Sequence, residues 1–330
     1  MKAVVVHEFG PLGTAAIEDV PTPTPDIGEV LVEVAAVAAN FVDTLVMEGK
    51  YQFLPDRPFS PGKLPAGTVR AVGSGVESFK PGDRVLTMAE HGGYAEFVCA
   101  AQSQCWRLPD EMSFDDAAAI ALAYDTAWVA LMDRARLKAC DTVLVLGATG
   151  AVGLATIQLA KAKGARVLAG VSSSQKAALV REAGADDIID LSVTNLRDRL
   201  REQVYALTGG NGADVVIDPL GGDFFDAAIR AVAWHGRLVV VGFAAARIAD
   251  LKTNYLLLKN IEVSGIQVSD YRKRMPELMR TCFEEIFELY RAGQIKPAPV
   301  TAYPLAAYAR ALEDLQNRRI AGRAILHPQV

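Results

Sequence analysis

Residues 142–153 read Thr-Val-Leu-Val-Leu-Gly-Ala-Thr-Gly-Ala-Val-Gly, and they decide the fold. Thr142 to Leu146 is an unbroken apolar run of strand length, as expected for a parallel strand covered on both faces. Glycines at 147, 150 and 153 follow, and a helical stretch from Val152 to Lys163 opens on them. Gly164 takes the left-handed position after that helix. A second strand, Arg166 to Val171, completes a βαβ unit of roughly thirty residues. Gly-x-x-Gly-x-x-Gly alone is weak; in this context it predicts a dinucleotide site. Glycine lets the backbone turn sharply and come close to a pyrophosphate, whose charge sits against the free N–H groups of a helix start. Gly147, Ala148, Thr149, Gly150, Ala151, Val152 and Gly153 are the expected contacts. The plain alternative is a tight turn that holds no ligand.

Outward from this unit, strands at 187–190, 214–218, 237–242 and 261–266 alternate with helices at 175–182, 196–208 and 224–233. Strict alternation predicts an α/β fold with a doubly wound parallel sheet and right-handed crossovers. Before it, Ser113 to Met132 reads as one helix. The first third has short strands, such as Lys2 to Val6 and Glu29 to Ala38, separated by Pro61-Gly62, Gly73-Ser74-Gly75, Pro81-Gly82-Asp83 and Gly92-Gly93. That spacing suggests a compact barrel or sandwich. After 266 come a helix from about Pro276 to Ala292, another helix, and a last strand Arg323 to Leu326.

The end of the second strand selects the cofactor. An NAD site places Asp or Glu there for the ribose 2′-hydroxyl. Here Val171 is followed by Ser172-Ser173-Ser174-Gln175-Lys176, with no carboxylate. A carboxylate would repel a 2′-phosphate, whereas hydroxyls and an ammonium bind one. NADPH is therefore expected over NADH, with Ser172, Ser173 and Lys176 as contacts. A serine helix cap is the bland reading, and it is compatible with phosphate binding. Gly242-Phe243 closes a later strand at the end where open α/β sheets bind ligands.

Composition narrows the classes. The net charge of −5 argues against a nucleic-acid surface. No apolar run approaches the ~18 residues of a membrane span, and the N-terminus reads as a strand rather than a signal peptide, so a cytoplasmic protein is expected. Cys99, Cys105, Cys140 and Cys282 are scattered, which fits reduced thiols. His7, His91, His235 and His327 are equally dispersed and read first as surface or packed residues.

Several further stretches carry a resemblance. They are Asn40-Phe41-Val42-Asp43 with Gly49-Lys50-Tyr51, Phe79-Lys80-Pro81-Gly82-Asp83-Arg84-Val85, and Gly92-Gly93-Tyr94-Ala95-Glu96-Phe97. Asp125-Thr126-Ala127-Trp128, Asp218-Pro219-Leu220-Gly221-Gly222, Gly236 to Phe243 and Leu256 to Asn260 extend the set. With the glycine loop, the chain resembles the medium-chain dehydrogenase/reductase superfamily, and within it the zinc-independent quinone oxidoreductases. The resemblance implies a GroES-like β-rich catalytic domain from 1–122 and 265–330 and a Rossmann NADPH-binding domain at 123–264. It also implies a homodimer joined through the nucleotide-domain sheets. Strand Ile261 to Ile266, expected near a sheet edge, would make the pairing.

The departures matter. Zinc alcohol dehydrogenases carry a Gly-His-Glu where this chain has Gly62-Lys63-Leu64, and no cysteine precedes Cys99. Catalytic zinc needs three protein ligands, so no metal is expected. The acidic residue usual after Pro-Gly in the quinone-reductase branch is also lost, and Leu45 and Leu191 stand where relatives often have Tyr. Without zinc the acceptor must need little activation, which suits a quinone, with α,β-unsaturated carbonyls or enoyl thioesters as the alternative. Asn40, Tyr51 and Thr126 are expected to line the site, Asn40 and Thr126 on the nicotinamide side, with Tyr51 or a water as proton donor. Asp43 reads either as a catalytic residue or as a structural acceptor for backbone N–H groups. Arg318 reads either as a phosphate contact or as a surface residue. A second class stays open: an NADPH-binding protein with little turnover. A methyltransferase would need an acidic residue after the second strand and leaves the flanking β region unexplained.

Overall fold

The computed structural model describes every residue except Ala246, Arg318 and Ala321, and of Ser174 only the backbone. Strands β1 (Lys2–Val5), β2 (Ala16–Asp19), β3 (Glu29–Ala39), β4 (Ala66–Val72), β5 (Arg84–Thr87), β6 (Phe97–Ala101) and β7 (Cys105–Arg107) come first. They are followed by β8 (Thr142–Val145), β9 (Arg166–Val171), β10 (Asp187–Asp190), β11 (Ala213–Asp218), β12 (Val232–Val240) and β13 (Glu262–Gly265), then β14 (Val300–Pro304) and β15 (Arg323–His327). The helices are α1 (Phe41–Met47), α2 (Phe114–Ile120), α3 (Ala123–Trp128), α4 (Ala151–Ala162), α5 (Ala177–Glu182) and α6 (Leu196–Leu207). They continue with α7 (Gly222–Ala228), α8 (Asn254–Lys259), α9 (Val268–Arg274), α10 (Pro276–Arg291) and α11 (Tyr308–Gln316). No described helix is long and apolar enough to cross a membrane.

The chain divides into two compact units. One comprises Met1–Leu122, Arg272–Glu277 and Pro297–Val330; the other comprises Ala123–Tyr271 and Leu278–Lys296. In the first, a sheet of order β14-β15-β3-β4-β5-β7, with β6 also paired to β3, surrounds an apolar core. The period-two pattern of β3 explains its place: Val30, Val32 and Val34 are fully buried, while Leu31, Glu33 and Ala35 are partly exposed.

The second unit carries a parallel sheet of order β10-β9-β8-β11-β12-β13. The chain starts in the middle at β8, winds outward through β9 and β10, then returns to the other side of β8 with β11. This is the Rossmann order, and the reversal between β8 and β11 is its switch point. Val143, Leu144, Val145, Val167, Leu168, Ala169, Val215, Val216 and Ile217 have no exposed surface, as central parallel strands require.

Some readings from sequence are corrected. The helix expected over 113–132 is broken at Ala121, whose backbone leaves the helical region, and it resumes as α3 and a wider π-turn over Val129–Arg134. The helix expected over 224–233 stops at Ala228, because Val232 is already paired in β12. Leu278–Lys296 falls in the compact unit that carries the parallel sheet. Glu285 of α10 accepts from Trp128 Nε1 at 2.7 Å, and Lys296 is tied at both backbone groups to the Gln158 amide.

Candidate active site

In the sheet unit the glycines have separable jobs. Gly147 turns the chain out of β8 with φ +58°, in the left-handed region. Gly153 permits a close approach: a Cβ there would lie 2.5 Å from the Gly147 carbonyl oxygen and 2.7 Å from Ala148 Cα. Helix α4 therefore packs directly on the loop. Gly150 is its N-cap, with no side-chain cap and no acidic residue in the first turn. The helix start is left open to an anion.

Beside the loop, β9 ends at Val171 and is followed by exposed Ser172 and half-buried Ser173. A short 3₁₀ turn over Ser174–Lys176 follows, and Lys176 is the N-cap residue of α5, with its side chain exposed. The Lys176 side chain makes no cap hydrogen bond to α5. No carboxylate lies between 172 and 176. At the neighbouring strand end, buried Asp218 accepts from the backbone N–H groups of Leu220 and Gly221, both at 2.9 Å, and fixes the turn after β11. Burial pushes its carboxyl above the usual range. Gly242 and half-exposed Phe243 follow β12, and a Cβ on Gly221 would meet the Phe243 ring at 3.0 Å. Thr126 is buried on α3, with Oγ1 3.4 Å from Asp125 Oδ1. Arg318 lies outside the described residues. A depression lined by Arg197, Asp226, Arg247 and Tyr255 contains none of the expected site residues, and Arg247 there is committed to Asp223 and Asp226.

These features fit a phosphorylated dinucleotide: a loop that can approach a pyrophosphate, an uncapped helix start, and hydroxyls with an ammonium where a 2′-carboxylate partner would otherwise stand.

The other unit gathers Asn40, Asp43 and Tyr51 around β3 and α1. Asn40, at the start of α1, donates from Nδ2 to the Ala38 carbonyl at 3.0 Å, and its Oδ1 accepts from Arg323 at 2.8 Å. Asp43 Oδ2 accepts from the Asn40 backbone N–H at 2.8 Å and from the Tyr94 hydroxyl at 2.9 Å. Burial raises the Asp43 carboxyl, against the opposing pull of Lys63 and of these donors. Burial and Asp43 push the Tyr94 hydroxyl well above its usual value. Of the two readings of Asp43, the hydrogen bonds favour the structural acceptor. Tyr94 fits only because position 62 is glycine, since a Cβ there would lie 2.3 Å from the ring.

A charged cluster completes this unit. Lys63 is 5% exposed. Its Nζ donates to Glu90 Oε2 at 2.7 Å and to the Glu90 carbonyl at 3.0 Å, and it lies 5.6 Å over the Tyr51 ring. Arg272, equally buried, takes the other Glu90 oxygen at 2.7 Å. Burial alone would raise Glu90; Arg272 and Lys63 outweigh it and hold the carboxyl down at about 2. Burial and Lys63 depress the His91 imidazole below its usual range. Sequence reading missed Tyr94, Glu90, Arg272 and Arg323 as site residues. Tyr94 had a signal in Gly92-Gly93-Tyr94; the Glu90–Arg272 pair, 182 residues apart, had none. Among the described residues, no group of three or more His, Cys, Asp or Glu is placed to hold a metal.

A β-rich unit joined in one chain to a Rossmann sheet with an open glycine loop defines a dinucleotide-dependent dehydrogenase or reductase of the medium-chain type. Comparison with known proteins agrees. Residues 26–110 match the alcohol dehydrogenase GroES-like domain and 151–284 the zinc-binding dehydrogenase domain. A quinone oxidoreductase-like protein 2 homolog from Nematostella vectensis is 36% identical, over 99% of this chain and 88% of its own length. Rat quinone oxidoreductase is 33% identical over 96% and 94%. The Escherichia coli quinone oxidoreductase complexed with NADPH superposes with a TM-score of 0.90 at 29% identity, covering 99% of this chain and 100% of that one. A mycobacterial protein complexed with NADPH gives 0.91 at 33% identity, covering 99% and 100%. The chain belongs to the quinone oxidoreductase family of the medium-chain dehydrogenases/reductases.

Proposed function

We propose that the chain is an NADPH-dependent oxidoreductase that reduces quinones and related electron-poor acceptors without zinc. One observation carries the reading: a glycine loop at the switch point of the sheet stands beside a strand end that offers Ser172, Ser173 and Lys176 in place of a carboxylate. Relatives solved with NADPH support it.

When bound, NADPH supplies a hydride from nicotinamide C4. Residues 147–153 hold the pyrophosphate on the α4 N–H groups. Ser172, Ser173 and Lys176 hold the 2′-phosphate, and Gly242 and Phe243 wall the site. Asn40, fixed by Ala38 and Arg323, and Thr126 orient the carboxamide and the acceptor oxygen. Tyr51, or a water beside it, gives the proton. Asp43 positions Tyr94 and the start of α1. Zinc independence rests on the missing ligands: Lys63 and Leu64 stand where the zinc dehydrogenases carry His and Glu.

The acceptor class is tested by NADPH oxidation against quinones, enones, enals and enoyl thioesters. Quinones are expected to lead. A lead by enoyl thioesters reassigns the acceptor to the second reading. Tight NADPH binding with no turnover on any of them overturns the enzyme reading.

A further inference from the structure

The turn after β11 touches both sides of the switch point of the sheet. Asp218 is the last residue of β11 and has no exposed surface. Its Oδ1 accepts the backbone N–H groups of Leu220 and Gly221, both at 2.9 Å, which closes the turn on the side chain. Gly221 and Gly222 continue it with φ of +69° and +55°, the left-handed region that glycine enters freely. On one side lies the glycine loop: a Cβ on Gly147 would meet Leu220 Cδ2 at 3.0 Å and Pro219 Cγ at 3.5 Å. On the other side, the Pro219 and Leu220 carbonyls accept from the Ala244 and Ala245 N–H groups at 3.1 Å and 3.0 Å. Those two residues directly follow Gly242 and Phe243. The Asp218 carbonyl accepts from the Val241 N–H at 2.8 Å, so the start of the turn is tied to the end of β12 as well. One side chain thus fixes a backbone bridge between the loop after β8 and the loop after β12. Its Oδ2 is buried and meets no donor among the described residues. Half of the carboxyl is desolvated without a compensating bond, a cost that an apolar side chain would avoid. What Asp218 contributes is the hold of Oδ1 on the turn.

We propose that Asp218 is a positioning residue for NADPH: through residues 219–222 it holds the glycine loop and the Gly242–Phe243 wall at the separation the dinucleotide spans. The inference rests on the proposed placement of NADPH along those two segments, and every group in it lies in the unit that carries the parallel sheet. Asp218 need not touch the ligand. It acts by rigidity: with the turn fixed before NADPH arrives, less of the ordering cost falls on binding.

The test compares two ligands on the whole protein by titration calorimetry. NADPH spans both segments, whereas adenosine 2′-monophosphate carries the 2′-phosphate but neither pyrophosphate nor nicotinamide. Asp218→Ala is expected to raise the Kd for NADPH about 10- to 100-fold, the scale of the two backbone hydrogen bonds it removes, and to leave that for adenosine 2′-monophosphate within about twofold. Asp218→Asn keeps an oxygen for both N–H groups and should restore NADPH binding to near wild type. Should Asp218→Ala not fold, Gly221→Ala disturbs the same turn, because a side chain is strained at φ +69° and its Cβ would lie 3.0 Å from the Phe243 ring. The same split between the two ligands is expected there. Equal weakening of both ligands, unchanged NADPH affinity, or no rescue by Asp218→Asn overturns the proposal. Wild-type protein that binds no NADPH fails the parent reading, and the inference with it.

Discussion

Gly153→Ala sets two physical effects against each other. In a helix, alanine is preferred over glycine by about 1 kcal/mol, so propensity alone predicts a more stable α4. The packing says the reverse. The new methyl would lie 2.5 Å from the Gly147 oxygen and 2.7 Å from Ala148 Cα, about 0.9 Å and 0.7 Å short of ordinary contact at 3.4 Å, and all of these atoms are backbone. Neither can rotate away, so the first turn of α4 must lift off the loop. Overpacking of this kind costs typically 1–3 kcal/mol, enough to cancel the propensity gain and exceed it. The lifted N–H groups are those proposed to hold the pyrophosphate. Losing one charge-assisted hydrogen bond of roughly 1.5–3 kcal/mol weakens NADPH about 10- to 150-fold. Fluorescence titration with NADPH and denaturant unfolding report both quantities. A variant that binds NADPH within twofold of wild type and unfolds at higher denaturant would refute the reasoning, because the helix would then be free of the loop.

The acid limb of stability should depend on Glu90. Its carboxyl is depressed from 4.5 to about 2, so its contribution is present above pH 4.5 and drains away as pH falls toward 2; urea unfolding at pH 7 and pH 3 should show less of this loss in Glu90→Gln. Asp43→Ala strips the acceptor from two buried donors, Tyr94 Oη and the Asn40 N–H, and should cost about 2–5 kcal/mol of unfolding free energy. NADPH affinity should hold in Asp43→Ala, and a loss of affinity at full stability would show that Asp43 acts on the ligand. β13 ends its sheet, and Trp234, Leu257 and Leu258 elsewhere in the same unit are each about 70% exposed or more, so a two-fold dimer through this unit is expected. Light scattering that gives a monomer mass at micromolar concentration would contradict it.

The parts legible in sequence were those with local signals. The apolar run of β8, the spacing of Gly147, Gly150 and Gly153, and the stop at Gly164 each state their geometry within a few residues. The unread parts depend on partners far along the chain. The alanine-rich stretch at 113–132 has uniform helix propensity, so nothing local marks the break at Ala121. Ala227 to Ala233 likewise reads as helix until Val232 pairs in β12. Helices α1, α8 and α9 are six or seven residues long, too short for a periodicity to show. Lys63 read only as a missing ligand, because its partners lie 27 residues away in Glu90 and, through Glu90, at Arg272. The contact that ties the tail helix α10 to α3, Trp128 to Glu285, spans 157 residues and has no local signal.

The central claim, hydride transfer from a 2′-phosphorylated cofactor without metal, is tested most directly by steady-state quinone reduction with NADPH and with NADH, on protein whose metal content has been measured. The account predicts kcat/KM at least about tenfold higher with NADPH, the worth of a single charge-assisted contact to the 2′-phosphate. Activity should be indifferent to chelators, with no stoichiometric zinc. Lys176→Ala should erode the NADPH advantage and leave NADH nearly untouched, and Ser172→Asp should reverse the preference by repelling the phosphate and giving the ribose a partner. Equal use of both cofactors by the wild-type protein, or about one tightly held zinc per chain on which activity depends, would contradict it.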